Sequence, residues 1–441
     1  LGIAAVGGPG EVSLGAVGFA GAGTWGDITL VNSFAVANGD GGGKVSIRGG
    51  QFVMDQSTIE AQTFGSEDAR GISVQADDVL LTNSSFIVGS THWDGRGADI
   101  DIEAAGSVTI DAGSWIDNRV WDSGSGGDIT VRAGDSITVD GSNEFGDPSR
   151  ITGATWGAGD GSEMLLEAAD ITVSSGAFLW NSTRGDGNAG SITLNGVDSV
   201  NFVGTTPDGA SGGIYANSSQ LGNSSNVTIN TTDFNQLNAA YIIIGTYGPA
   251  AGGNLAINAT GDVTMAGVGV LNDPVQTWTG SRGTGPSGEI LVNAANMYVR
   301  DGAQLGSYAP GPSDAGDITL LSDGLLEVSG QAQDDFGRPY QTMHAPSGRD
   351  GNGGKTIVRA EDVRLLDGGI NVGTSFGTGN AGSIDIEATT FETGGTTSDL
   401  FTEFGDPLVW TSGIWSINEQ FEGGNGGDIS VRADTITIGR G

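Results

Sequence analysis

The chain has 441 residues, 80 of them Gly, and only 16% are charged. Glycine so far above its average usage of about 7% excludes an ordinary helical protein. The 53 acids against 17 bases leave a formal charge of −36, which excludes nucleic acid as a partner because a phosphate backbone is repelled.

Leu1 to Gly10 lacks the basic start of a signal peptide, so any export signal is expected outside this chain, and residues 1–25 read as a partial first coil or loop. From residue 26 to residue 441 one repeat recurs, its first strand residue falling at Ile28, Val45, Ile72, Ile100, Ile129, Met164, Ile192, Val227, Leu255, Ile290, Ile318, Thr356, Ile384 and Ile429. The modal spacing is 28 residues, and a 63-residue superperiod of one longer and one shorter unit runs from Ile129 through Ile192 and Leu255 to Ile318. Duplication of coil pairs with a longer loop on alternate coils accounts for it; a functional face built by those loops is the sharper alternative.

The residue two after the anchor is apolar in every copy and the anchor itself in all but Thr356, with Thr, Ser or Asp usually between them, as in Ile129-Thr130-Val131. This period-2 alternation marks a strand with one buried face. Two residues before the anchor Gly dominates, consistent with a positive φ or with room for a close neighbour. Second alternating stretches follow at Asp135, Ala169, Gly261 and Glu361, and third ones at Phe86–Val88 and Ile370–Val372. Two or three short strands per unit predict an all-β chain, a right-handed parallel β-helix (β-solenoid) of about 13 coils. Propeller blades need about 40 or more residues each, longer than most units here.

Stacked coils turn alignment columns into contacts. The third residue after the anchor reads Glu103, Arg132, Glu167 and later Arg359, Glu387, Arg432, two runs of alternating charge. Between them lie Asn195, Asn230, Asn258 and Asn293, an amide ladder. Both ends break off within a coil, so the domain is expected to be a fragment of a longer chain or a filament subunit whose ends stack on other copies.

Chemistry is sparse. No cofactor is expected. The turn position before the anchor carries Asp27, Asp99 and Asp128 but also Lys44 and Lys355, which a metal site would not accept. Adventitious calcium suits so acidic a surface, though no ligand set can be named. His92 and His344, the only histidines, read as incidental loop residues; no GxSxG, HExxH or Walker-type sequence occurs, so no enzyme is expected. Cysteine is absent and no run approaches the roughly 18 apolar residues of a membrane span. Aromatics are the better lead. Trp121, Trp156, Tyr247 and Phe376 lie eight residues before an anchor, and Trp180, Tyr215 and Trp278 twelve before. Such rows either plug loop corners by stacking or offer a platform to sugar faces.

The phrases GNAGSITL from Gly187, GNGGDISVRA from Gly424 and GAGDGSEMLLEAADITVSSGA from Gly157 resemble the repeat region of filamentous haemagglutinin-type exoproteins, the passengers of two-partner secretion in Gram-negative bacteria. The resemblance implies export through an outer-membrane β-barrel partner, a right-handed β-helix outside the cell, and a role as adhesin shaft, extracellular filament or surface coat. Implied partners are further copies or coils of the chain, surface glycans and host receptors. The family's NPNL- and NPNG-like secretion motifs have no match in these residues. Two other readings are weighed: a polysaccharide-binding or polysaccharide-degrading β-helix, and a phage or virus fibre.

Overall fold

A computed structural model describes residues 1–6, 12–15, 18–21, 24–206, 209–333, 343–344, 350–375, 377–396, 400–401, 407–408, 411–418 and 423–439. The fold is all-β, with no helix among the described residues. The chain forms two compact units, one of Leu1–Asp198 with Ser219–Ser225, the other of Ser199–Ser218 with Asn226–Gly441.

In the first unit the repeats supply three columns of parallel strands. The first column pairs Val45, Ile72, Ile100, Ile129 and Met164 in succession, residue for residue. Val131 therefore faces Leu166 in a parallel pair, as the alignment requires. The second column sets Phe52, Val79, Val108, Ile137 and Ile171 side by side. A third, of short strands, runs from Phe34–Val36 through Thr58–Glu60, Phe86–Val88, Trp115–Asp117 and Arg150–Thr152 to Phe178–Trp180. Strand Met164–Ser174 passes through the first two columns unbroken, and two successive outward residues, Ala169 and Asp170, mark the corner where its alternation changes phase. The residues named in the first two columns are buried, so apolar area leaves water while outward Thr, Ser and Asp stay solvated.

The second unit repeats the plan. Val227, Leu255, Ile290, Ile318, Thr356, Ile384 and Ile429 pair in register. Phe234, Val263, Met297, Leu326, Val363, Phe391 and Ile436 form its second column. Its third begins with Gly213–Ser218, Tyr241–Thr246, Gln276–Ser281 and Gln304–Tyr308.

Ile28 corrects the alignment. Its strand pairs Phe52 in the second column, whereas the strand at Val45 pairs Gly2–Ala4. The alternation at Ile28 belongs to a different column of strands, which is why its spacing to Val45 is so short. The long alternate loops find one place: in each unit the extra residues leave between the second and third columns, closed by antiparallel bridges Ser142 to Pro148 in the first unit and Thr205 to Ser211 and Val268 to Pro274 in the second.

The glycines two before the anchor make room rather than adopt positive φ. Gly127, Gly190, Gly288 and Gly316 have no positive φ, and a Cβ on any of them would strike the backbone carbonyl of the preceding repeat. The polar turn residue beside them is a hydrogen-bond acceptor. The backbone N–H of Asp128 donates to Asp99 Oδ1 at 2.8 Å, that of Ser191 to Glu163 at 3.0 Å, that of Glu289 to Asn254 at 2.8 Å and that of Lys355 to Asp317 at 2.7 Å. Asp, Glu and Asn are interchangeable there because each supplies one oxygen. A buried serine ladder lines the entry to the third strands: the N–H of Ser57 donates to Ser85 Oγ at 3.2 Å and that of Ser85 to Ser114 Oγ at 3.0 Å.

The charge and amide columns form ladders, but the arginines do not keep to their own column. Arg132 Nε donates to Glu167 at 2.6 Å, and Asn195 donates to the other oxygen at 3.0 Å. These bonds, Asn195's first, hold the Glu167 carboxyl below its usual range. Glu103, paired with Arg132 in register, instead accepts from Gln75 at 3.0 Å, and Arg132 reaches Asp101 at 3.7 Å on the same outward face. In the second unit Asn258 donates to Asn230 at 3.0 Å and Asn293 to Asn258 at 2.8 Å. Arg359 and Arg432 approach Glu387 at 3.3 and 3.7 Å, but both lie nearer Asp385, at 3.0 Å each. Long arginines reach diagonal as well as direct neighbours on a sheet, so one alignment column is too narrow a rule.

Candidate functional site

In the first unit glycine-rich turns follow the third strands, and three of them are closed by a threonine hydroxyl. Thr91, Thr155 and Thr183 each donate to the carbonyl four residues on, at 2.5, 2.7 and 2.6 Å. Parallel bridges join Thr63, Thr91, Val120, Thr155 and Thr183 in succession, so the residue after each is held above its counterpart. That next residue is Phe64, His92, Trp121, Trp156 and Arg184. Their side chains stack. Ring centroids are 4.5 Å apart for Phe64 and His92, 5.9 Å for His92 and Trp121, and 5.1 Å for Trp121 and Trp156, with planes within 16°. Trp180 meets Trp156 edge-on at 5.4 Å, and the Arg184 guanidinium lies 5.7 Å from the Trp156 ring and 5.6 Å from that of Trp180. Arg119, ion-paired with Asp117, stands 5.2 Å over Trp121. Offset stacking and cation–π attraction each add to burial here. Trp121 keeps 43% of its surface exposed and Phe64 46%, so the stack leaves ring surface open to solvent.

His92 is therefore no incidental loop residue: it is sandwiched between two rings, with Nε2 2.8 Å from Gln62 Oε1. Burial first, and then the Arg119 charge, holds its imidazole below the ordinary 6.5. A depressed folded value means that the stability tied to neutral His92 is complete above about pH 6.5 and drains as pH falls through the folded value. We expect the urea midpoint of the wild-type chain to drop more steeply between pH 7 and pH 5 than that of His92→Phe; parallel pH profiles would refute this role. His344 lies in strand Met343–His344, paired with Gly306.

In the second unit the same offsets lead elsewhere. Tyr215 packs on buried Tyr241, centroids 4.3 Å apart, and burial pushes the Tyr241 phenol up. Ile243 separates Tyr215 from Trp278 in register. Trp278 instead meets Tyr308 edge-on at 6.1 Å. Tyr247 is capped by Arg282, whose guanidinium carbon is 5.5 Å from the ring centroid. Tyr247, Trp278, Tyr308 and Arg282 line one open cleft of about 330 Å³, together with Asn217, Gln276 and Gln304. Phe376 lies outside the described residues.

Of the seven aromatics singled out in the sequence, then, Trp121, Trp156 and Trp180 share one surface and Tyr247 and Trp278 another, while Tyr215 plugs against a neighbour. Phe64, His92, Arg184 and Arg282 were missed although each stands eight residues before an anchor; a search for aromatic letters alone passes over cations that stack on rings. No group of three or more His, Asp or Glu side chains suited to a metal ion occurs among the described residues. No helix there is long and apolar enough to cross a membrane. No protein-family model, curated protein or solved structure matches the chain.

Proposed function

We propose that the chain is a stretch of secreted, non-catalytic right-handed parallel β-helix that serves as the shaft of a surface adhesin or as a unit of an extracellular filament. The observation that carries this reading is the uninterrupted register: within each unit like positions of successive repeats pair as parallel neighbours, from Val45 to Met164 and from Val227 to Ile429. Nearest-neighbour stacking of this kind extends a chain without needing a closed catalytic centre. The likeness of the phrases at Gly157, Gly187 and Gly424 to haemagglutinin-type exoproteins supports an extracellular place and export through an outer-membrane partner. A net charge of −36 suits a solvated surface coat by keeping shafts apart laterally.

Intact cells of the source organism, shaved with protease, should release fragments of this chain, and the purified protein should liberate no reducing ends from acidic or neutral polysaccharides. Retention inside lysed cells only, or turnover above a heat-killed control, overturns the proposal.

A further inference from the structure

The cleft of the second unit is made by missing side chains. Along the third column, outward positions alternate with buried ones, and paired strands lie about 4.8 Å apart. Asn217, Gly245, Gly280 and Tyr308 occupy one outward row, and Tyr215, Ile243, Trp278 and Gly306 the next. Gly245 and Gly280 therefore leave a trench between Asn217 and Tyr308, with Trp278 in the row beside it. The cleft of about 330 Å³ sits there, at the lower end of the volumes that hold small ligands.

Its lining is selective in chemistry. Trp278 and Tyr308 stand edge to face and supply apolar surface with polar tips. The amides of Gln276 and Gln304 each carry donors and an acceptor, suited to paired hydroxyls. No described residue that lines it is acidic, although the chain has 53 acids. Arg282, held over Tyr247, makes no ion pair among the described residues. Its planar fork matches a carboxylate through two parallel hydrogen bonds. Carboxylates elsewhere on the surface are screened beyond about 8 Å at physiological salt, so the local guanidinium governs what the cleft accepts.

We propose that this cleft binds a short oligosaccharide containing a hexuronic acid, one pyranose face resting against Trp278 and Tyr308 and a ring carboxylate on Arg282. A neutral glycan would leave Arg282 unmatched, and a carboxylate without a sugar would leave the aromatic wall unused. The inference does not rest on the shaft reading: a chain that binds no sugar can still be a shaft, and one that cleaves sugar refutes the non-catalytic reading while leaving this site standing.

Isothermal titration calorimetry with trigalacturonate, a hyaluronan tetrasaccharide and neutral maltotriose tests it. At least one acidic probe should bind about tenfold or more tighter than maltotriose. Trp278→Ala should weaken that probe about tenfold or more, and Arg282→Gln should weaken it similarly while leaving any maltotriose binding unchanged. Trp278 is a partly exposed outward residue, so both variants should keep the wild-type thermal midpoint. Binding of neither acidic probe, equal affinity for acidic and neutral sugars, or full affinity in folded Trp278→Ala overturns the proposal.

Discussion

A Gly190→Ala chain is expected to unfold at a distinctly lower urea concentration than wild type, by about 3 kcal/mol or more, the upper range for overpacking a rigid site. The cause is steric. A Cβ at Gly190 would strike the carbonyl oxygen and carbon of Ser162, which belong to the preceding repeat. Neither atom is at the end of a flexible side chain, so relief requires moving backbone that the parallel ladder fixes. Gly39→Ala is the control. Gly39 has nothing within 4 Å of the added methyl and no positive φ. There the substitution should be neutral or stabilising, by up to about 1 kcal/mol, because alanine narrows the unfolded ensemble. Equal midpoints for the two variants would remove close backbone approach as the reason for glycine before the anchor.

How far the fold was legible follows from the same column. The alternation at Ile129-Thr130-Val131 and its recurrence specified which residues point inward, and pairs such as Val131 with Leu166 meet that expectation. Spacing alone left open whether the preceding glycine served conformation or proximity, because both demands select the same letter. Ile28 shows the opposite failure. Strands of different columns share a pattern, so pattern cannot say which column a lone copy occupies; only its partner Phe52 does. Small polar residues were silent for a related reason. Ser57, Ser85 and Ser114 look like loop composition in the sequence, yet each is buried in a column of hydroxyl-to-backbone bonds.

The candidate surfaces were half legible. Trp121 and Trp156 announce themselves by size and offset, whereas His92 carries no such signal until its place between Phe64 and Trp121 is seen. In the second unit the informative residues are Gly245 and Gly280, whose meaning lies in what stands beside them. An absent side chain makes a cleft only if its neighbours in register are large, as Trp278 and Tyr308 are.

Phe234→Ala should cost the second unit about 3–5 kcal/mol, the range for truncating a fully buried aromatic. Phe234 and Phe202 are both 0% exposed, with ring centroids 6.1 Å apart and planes inclined at 56°. Val263, the next residue of the inward column, is too short to reach into the space left by the ring. Conservative Phe234→Leu keeps most of the volume and should lose about 1.5 kcal/mol or less. Surface variants set the scale: Arg132→Ala, which breaks the ion pair to Glu167, should fall within about 1 kcal/mol of wild type. Because each repeat is stabilised chiefly by its neighbours, the loss should be local before it is global. Amide exchange should quicken first in Val227–Leu237 and the strands Leu255–Ala259 and Asp262–Ala266 that pair with it, while Thr356–Leu366 keeps its protection. Combining Phe202→Ala with Phe234→Ala should cost less than the sum of the two, since one shared cavity is opened once. Uniform loss of protection across the second unit, or strict additivity, would show that the inward column does not act by contact between adjacent repeats.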